Sequence, residues 1–235
     1  MPGCFLKGRR EVIVFGIDVE GPVGMVKVNL QTGENTPIKP VPSTTGMMMM
    51  PDLSPDGKQV ATIQLPGSGH IRDLQICVLD LETGRARLLG DPKPIGGPFS
   101  WLPDGEGLIL KRFKQSGNLN EIEPRVLCRL GLDGTLTDLC PGDWPVVLRK
   151  SRRILYQADD TQLWHTCALD GTKSELFADG LARHGTPAVS PDETKVIFAR
   201  YEKGKLPQLL LFDFGKTKGS PVTKAQGFTS TPVWR

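Results

Sequence analysis

The stretch PDLSPDGKQVAT at residues 51–62 decides the fold of this chain, because its pattern occurs three times. It places a Pro-Asp-Gly turn between two short strand-like segments, and it returns as FSWLPDGEGLIL at 99–110 and PAVSPDETKVIF at 187–198. Proline fixes φ in such a turn, aspartate bonds its own backbone, and glycine accepts a positive φ. The aspartates expected to bond turn amides rather than substrates are Asp56, Asp104 and Asp192.

The repeat units follow one another at a nearly constant period. Aligned on the segment before each turn, they begin at residues 51, 99, 145, 187 and 232. The fourth unit is degenerate, with Arg149-Lys150-Ser151 in place of the turn motif. Each full unit holds four short apolar segments bounded by turn residues, which is typical of one four-stranded propeller blade.

We therefore predict an all-β, five-bladed β-propeller of four-stranded antiparallel blades, with less than about a tenth of the chain in helices. The whole chain, 1–235, is expected to be one domain. The predicted blades cover residues 9–40 together with 230–235, 50–90, 98–140, 145–178 and 186–224.

A closed propeller must join its first blade to its last, because sheet edges and apolar faces are otherwise exposed. Residues 232–234 resemble a first strand with no blade after it, whereas residues 10–17 resemble a second strand with a weak first strand before it. We prefer closure by the C-terminal strand, which would complete blade 1. In the alternative, residues 3–8 form that first strand, and residues 232–235 begin a missing blade.

The amino-acid composition of the chain limits the classes of function to consider. The 235 residues are 38% hydrophobic and 23% charged, and the 27 glycines and 20 prolines suit many short strands joined by turns. The net charge of +3 is small and the two signs are interspersed, so we expect no nucleic-acid partner. No apolar run approaches the roughly 20 residues of a membrane span.

The five cysteines contain no C-x-x-C pair, and their odd number cannot pair completely within one chain. Free thiols in a reducing compartment are the simplest interpretation. The first ten residues place basic side chains after a short apolar group, the reverse of a secretory signal. We therefore expect a cytoplasmic monomer, or a periplasmic domain if the chain belongs to a longer protein.

The repeat resembles that of the TolB-like β-propellers, relatives of the WD-type repeat that lack its Trp-Asp signature. Ser-Pro-Asp-Gly-Lys followed by an apolar strand and Leu-Asp-Leu-Glu-Thr-Gly carries the resemblance, most fully at residues 53–84 and then at 101–134 and 189–215. The resemblance covers nearly the whole chain. It implies a propeller that serves as a binding platform, although six blades are commoner in the family than five.

Binding is expected at one end of the propeller, which we call the long-loop face. It carries the loops that join second to third strands and fourth strands to the next blade, and these loops are long and unequal. Methionine, tryptophan, arginine and histidine, which are present there, suit contacts with a protein or a small ligand. The candidate residues are Met47, Met48, His70, Arg72, Trp144, Arg183 and His184.

We predict no enzymatic activity, no cofactor and no metal site. The chain has three histidines and no G-x-S-x-G elbow, so a serine hydrolase is not indicated. A glycosidase with channel carboxylates is an alternative, with Asp18, Asp52 and Asp159 as candidates. A regulatory or sensor propeller separated from a kinase, peptidase or transcription regulator is another.

Overall fold

The computed structural model describes residues 4–6, 10–16, 24–38, 47–65, 74–90, 95–113, 124–178, 187–200 and 208–222. These residues form twenty β-strands in five four-stranded antiparallel sheets, which are the blades of a propeller. None of the described residues lies in a helix, so this part of the chain has no helix that could cross a membrane. The predicted all-β, five-bladed architecture is confirmed.

The strands of each blade follow one another in sequence order across its sheet. Blade 1 contains β1 (Cys4–Phe5), β2 (Glu11–Gly16), β3 (Gly24–Asn29) and β4 (Asn35–Ile38). Blade 2 contains β5 (Met47–Leu53), β6 (Gln59–Leu65), β7 (Gln75–Asp80) and β8 (Ala86–Leu89). Blade 3 contains β9 (Ile95–Trp101), β10 (Gly107–Phe113), β11 (Arg125–Gly131) and β12 (Leu136–Pro141).

The last two blades follow the same plan. Blade 4 contains β13 (Asp143–Leu148), β14 (Arg153–Gln157), β15 (Trp164–Ala168) and β16 (Glu175–Ala178). Blade 5 contains β17 (Ala188–Val189), β18 (Lys195–Arg200), β19 (Gln208–Asp213) and β20 (Ser220–Pro221).

The first strands of the five blades pair with their second strands in the same register. The equivalent pairs of opposite residues are Cys4 with Ile13, Asp52 with Ala61, Ser100 with Ile109, Val146 with Leu155 and Ala188 with Ile197.

The first strand of blade 1 comes from the N-terminal segment. Strand β1 pairs with β2, with Cys4 opposite Ile13 and Phe5 opposite Val12. Our preferred assignment of the C-terminal strand to this position is therefore corrected, because the apolar segment at residues 4–6 already occupies that edge of β2. The alternative, with a first strand within residues 3–8, matches the pairing. Residues 230–235 lie outside the described residues.

Apolar side chains from adjacent blades form the core, which lies between the sheets. One cluster joins blades 2 and 3 around Trp101, and another joins blades 3 and 4 around Ile109 and Ile154. A third joins blades 4 and 5 around Trp164 and Phe198, whose rings meet edge to face at 4.8 Å. A blade that packs against a neighbour on each side is buried on both faces. Its two central strands therefore carry apolar side chains on both faces of the sheet.

The turn aspartates bond backbone amides, as the sequence predicted. Asp56 Oδ1 accepts from Lys58 N at 3.1 Å, and Asp192 Oδ1 accepts from Thr194 N at the same distance. In the third repeat, Asp104 Oδ1 accepts from the N–H of residue 106 at 3.0 Å. These carboxylates therefore stabilise the turns between first and second strands.

The degenerate turn of blade 4 obtains its carboxylate from the next blade. Glu193 accepts from Lys150 N at 2.6 Å and from Ser151 N at 2.9 Å. Glu193 also has a φ of 59°, a backbone conformation that favours glycine, which Gly57 and Gly105 supply in the intact motifs. The missing Pro-Asp-Gly sequence is thus replaced by a contact between blades.

Replacing Ser190 by alanine is expected to raise the pKa of Asp192. The Ser190 hydroxyl donates to Asp192 Oδ1 at 2.6 Å, and this bond, followed by those from Thr194, lowers the pKa of the carboxyl group to about 2. A depressed folded-state pKa stabilises the fold above the usual value of 3.8, and that contribution is lost as the pH falls toward 2. Carboxyl-carbon NMR titration of Ser190→Ala should show an upward shift, and an unchanged pKa would contradict the assigned bond.

Candidate functional site

Four charged side chains form a continuous chain of ion pairs at the long-loop face, between blades 3 and 4. Lys111 Nζ lies 2.8 Å from Asp143 Oδ1, and Arg125 Nη1 lies 3.0 Å from Asp143 Oδ2. Arg125 continues to Asp159, with Nη2 at 2.6 Å and Nε at 2.7 Å from Oδ1. We call these four residues the charge chain. Each carboxylate has a cationic partner, so the four charges balance locally.

Strand ends bring the charge chain together. Lys111 lies near the end of β10, Arg125 begins β11, Asp143 begins β13, and Asp159 lies in the turn after β14. Asp143 is 2% and Lys111 8% exposed. A buried ion must be paired, because transferring it from water is costly. The pair between these two residues therefore fixes the contact of β10 with β13.

Two aromatic rings flank the ammonium group of Lys111. Its Nζ lies 5.2 Å from the centre of the Phe113 ring and 5.5 Å from that of Trp144, within the range of cation–π attraction. Glycines on β9 give the space: a Cβ on Gly96 would lie 2.7 Å from Phe113 Cε2, and one on Gly97 3.0 Å from Lys111 Cε. A Cβ at either position would therefore displace the Phe113 ring or the end of the Lys111 side chain.

The first strands of three blades share a bulge on this face. Its central residue has a positive φ and precedes proline: Met50 at 54°, Gly97 at 74° and Trp144 at 53°. The pairing of the first strand with the second shifts register at each site. Glycine adopts this conformation freely, whereas another residue pays of order 1–3 kcal/mol. Methionine and tryptophan are therefore held there in strained backbone.

Equivalent side chains on the first strands link neighbouring blades in the channel. Asp52 Oδ2 accepts from Trp101 N at 3.3 Å, and Ser100 Oγ accepts from Val147 N at 3.1 Å. Since Asp52 and Ser100 hold the same register position, the two bonds are one repeated contact. Val146 holds that position in blade 4, where its side chain offers no acceptor.

Asp52 serves the structure of the channel. Burial raises the pKa of its carboxyl group, and the guanidinium of Arg149 and the N–H groups of Trp101 and Leu53 oppose that rise. Arg149 Nη2 also donates to the Leu53 carbonyl at 3.0 Å, which connects blade 4 to blade 2. The Asp52 carboxylate, the Arg149 guanidinium and the Trp101 backbone N–H thus form one network around the channel.

The described structure covers part of the predicted partner-binding set. Met47 and Met48 lie in β5, and Trp144 lies in β13 at the bulge beside the charge chain. The other predicted partner-binding residues lie outside the described residues, and these are His70, Arg72, Arg183 and His184. The glycosidase candidate Asp18 lies outside them as well. Of the remaining carboxylates, Asp159 pairs with Arg125 and Asp52 bonds Trp101.

Sequence reasoning did not identify Lys111, Phe113, Arg125 and Asp143. A signal was present for two of them, since a lysine directly after the apolar segment Leu108–Leu110 and an aspartate directly before Trp144 each mark a strand end. The ion pairs of the charge chain join residues that lie 18 to 34 positions apart in sequence. Among the described residues, no group of three or more His, Cys, Asp or Glu side chains could hold a metal ion.

The opposite face also has a large concavity. A groove of about 780 Å³ lies between blades 3 and 4 at the repeat turns, with an apolar floor that includes Leu102, Leu139 and Leu169. Its rim includes the turn residues Asp133 and Asp170, whose carboxylates accept backbone N–H bonds from Thr135 and Thr172. Much of this rim therefore consists of side chains that hold the turns.

No protein-family model and no curated protein matches the sequence of the chain. Similar solved structures include TolB from Acinetobacter baumannii, at 13% identity and a TM-score of 0.68 over 88% of this chain and 50% of that one. Putative TolB from Agrobacterium tumefaciens is similar at 18% identity and a TM-score of 0.69 over 94% of this chain and 79% of that one.

An oligogalacturonate lyase from Vibrio parahaemolyticus is also similar, at 14% identity and a TM-score of 0.66 over 93% of this chain and 63% of that one. The chain thus spans half the length of the Acinetobacter protein and more of the other two. Proteins of different activity share this architecture, and the likeness concerns the fold. Together with the repeat motif and the five four-stranded blades, it shows that the chain has the fold of a TolB-like β-propeller.

Proposed function

We propose that the chain is a non-enzymatic binding module that receives a protein partner at the long-loop face. The observation that carries this proposal is the charge chain, in which Lys111, Arg125, Asp143 and Asp159 neutralise one another beside the Phe113 and Trp144 rings. Such paired charges position aromatic side chains. Tryptophan and arginine are enriched among residues that dominate protein interfaces.

The strained backbone at Trp144 supports the same proposal. Its φ of 53° suits glycine, which blade 3 has at the equivalent position, Gly97. Backbone strain of this kind clusters at functional sites, which include ligand clamps, switch regions and active sites. Met50 has the equivalent conformation in blade 2. A flexible methionine and an aromatic tryptophan therefore hold equivalent positions in blades 2 and 4.

The carboxylates Asp52 and Asp159 already have hydrogen-bond or ion-pair partners within the protein, which argues against the glycosidase alternative. Glycoside hydrolysis uses two carboxyl groups that flank the scissile bond. Asp52 instead accepts a hydrogen bond from Trp101 N, and Asp159 is held by Arg125. The proposed module is a cytoplasmic monomer. In the regulatory alternative it is instead a sensor propeller domain separated from a larger kinase, peptidase or transcription regulator.

Trp144→Gly tests the proposal. The substitution removes the indole ring and its packing. Glycine adopts the positive φ of the bulge freely, so the relief of backbone strain partly offsets the loss of packing. The immobilised chain should capture a defined set of proteins from the lysate of its source cells, and the variant should retain about tenfold less of them. Quantitative mass spectrometry of the bound fraction measures this difference.

The matched control is Asp133→Asn on the opposite face, which should capture as much as the unmodified chain. Two outcomes would overturn the proposal: equal capture by Trp144→Gly, or turnover of a glycoside substrate that is lost on replacing Asp159. Thermal unfolding of each variant establishes that a loss of capture does not come from unfolding.

A further inference from the structure

The charged groups of the charge chain are already engaged by one another. Asp143 accepts a hydrogen bond from Trp144 N at 2.7 Å in addition to its ion pairs with Lys111 and Arg125. In the Arg125 guanidinium, Nε and Nη2 meet Asp159 Oδ1, whereas Nη1 meets Asp143 Oδ2. Asp159 Oδ2 also accepts from Arg125 N at 3.3 Å. Two cations and two anions thus neutralise one another within the protein.

Uncharged side chains flank the charge chain on the long-loop face. Phe113 lies directly opposite Arg125 in the pairing of β10 with β11, and Pro124 precedes Arg125 in sequence. Pro141 ends β12, the strand next to β11, and Trp144 lies at the bulge of β13. The two prolines are exposed and the two aromatic side chains are half-buried. We call Phe113, Pro124, Pro141 and Trp144 the apolar rim.

A charged side chain of a partner would be costly at this place. An ion that enters an interface from which water is excluded needs a counter-ion. Asp143 and Lys111 are only 2% and 8% exposed, so an incoming ion gains a counter-ion there only by taking one member of an existing pair. The other member then becomes a buried ion without a partner, which is strongly destabilising. An uncharged segment of a partner avoids this cost.

The next charged residue along the chain does not change this balance. Asp160 follows Asp159, is exposed to water, and accepts a hydrogen bond from Thr161 N at 2.7 Å. A solvated charge at the edge of an interface contributes little to affinity. The chemistry of the contact is therefore set by the neutral charge chain and by the apolar rim.

We propose that the partner received at the long-loop face contacts the charge chain and the apolar rim with an uncharged, apolar peptide segment. This inference rests on the proposed function and specifies the chemistry of its partner. Proline, leucine or aromatic side chains of such a segment pack against the Trp144 and Phe113 rings, as charged residues are depleted from the cores of interfaces. Because the contact adds no ion pair, its affinity depends little on salt.

Selection from a phage-displayed library of random peptides tests this proposal. The immobilised full chain selects peptides, and those that also bind Trp144→Gly are removed. We expect the remaining pool to be enriched in leucine, proline and aromatic residues, with a mean net charge near zero. Synthetic peptides from this pool should bind with a Kd that changes less than about twofold between about 50 and 500 mM NaCl, a range over which exposed charges become screened.

Asp159→Asn unbalances the charge chain by one unit at nearly constant side-chain size. The Asp159 side chain is 21% exposed, and the variant leaves Lys111 and Arg125 with Asp143 as their anion. The selected pool should therefore shift toward acidic peptides, whose affinity should fall by about fivefold or more over the same salt range. The matched control is Asp133→Asn, which removes the same charge on the opposite face and should select the same pool as the unmodified chain.

The outcomes separate this inference from the proposed function. A Trp144-dependent pool of acidic or basic peptides from the unmodified chain would overturn the inference and leave the proposed function standing. Absence of any Trp144-dependent pool would overturn the proposed function and the inference with it. A pool unchanged by Asp159→Asn, in a variant that thermal unfolding shows to be folded, would contradict the role assigned to the balanced charges.

Discussion

Replacing Trp101 by alanine should lower the free energy of unfolding by about 3–5 kcal/mol, the range for truncating a fully buried aromatic side chain. Trp101 is 0% exposed and lies in the cluster that joins blades 2 and 3. Its Nε1 donates to the Asp52 carbonyl at 3.0 Å, and its backbone N–H donates to the Asp52 carboxylate. The substitution therefore removes both packing and a bond between blades, and urea unfolding followed by circular dichroism measures the loss.

Two control variants separate the contribution of packing from that of the indole hydrogen bond. Trp101→Phe keeps most of the ring but leaves the Asp52 carbonyl without the indole donor, so we expect a smaller loss of about 1–2 kcal/mol. Leu88→Ala removes a side chain that is 45% exposed and should change the free energy by less than about 0.5 kcal/mol. If Trp101→Ala costs no more than the Leu88 control, then Trp101 does not join the blades.

Replacing Asp143 by alanine should cost about 3–5 kcal/mol, because it leaves the buried ammonium of Lys111 without its anion. Arg125 keeps Asp159 as a partner, so the main penalty belongs to Lys111. The double variant Lys111→Met with Asp143→Ala should recover at least half of that loss, since an apolar side chain then occupies the site. A double-mutant cycle from urea unfolding gives the coupling energy.

The exposed pair between Lys27 and Glu11 is the matched control. Its 3.2 Å contact joins side chains that are 39% and 37% exposed, so Glu11→Gln should cost less than about 1 kcal/mol and depend on salt. A double variant no more stable than Asp143→Ala alone would show that the buried pair does not account for the loss. In that case the charge chain would not hold β10 against β13.

The sequence predicted the repeated architecture because its signals are local. A Pro-Asp-Gly turn needs only its own few residues, and Asp56 and Asp192 bond amides two positions along the chain. The fixed period then places the same four strands in each unit. Even the degenerate turn at residues 149–151 kept its position between two strands.

Contacts between distant segments were not predictable in the same way. The two-residue strand β1 is too short to give a periodic signal, and its place beside β2 depends on pairing across the blade. The charge chain depends on residues from separate strands, and the partner that completes the blade 4 turn, Glu193, comes from the next blade. Trp144 was identified from its residue type and loop position, whereas its strained φ required coordinates.

The most direct test of the central claim compares photo-cross-linking from the two faces of the propeller. A benzophenone amino acid is placed at Pro124, which is exposed directly before β11 on the long-loop face, or at Asp133 in a repeat turn on the opposite face. Irradiation in lysate of the source cells, followed by mass spectrometry, should give a discrete adduct from position 124 that weakens with Trp144→Gly, and no such adduct from position 133. An adduct from position 133 alone would contradict the account.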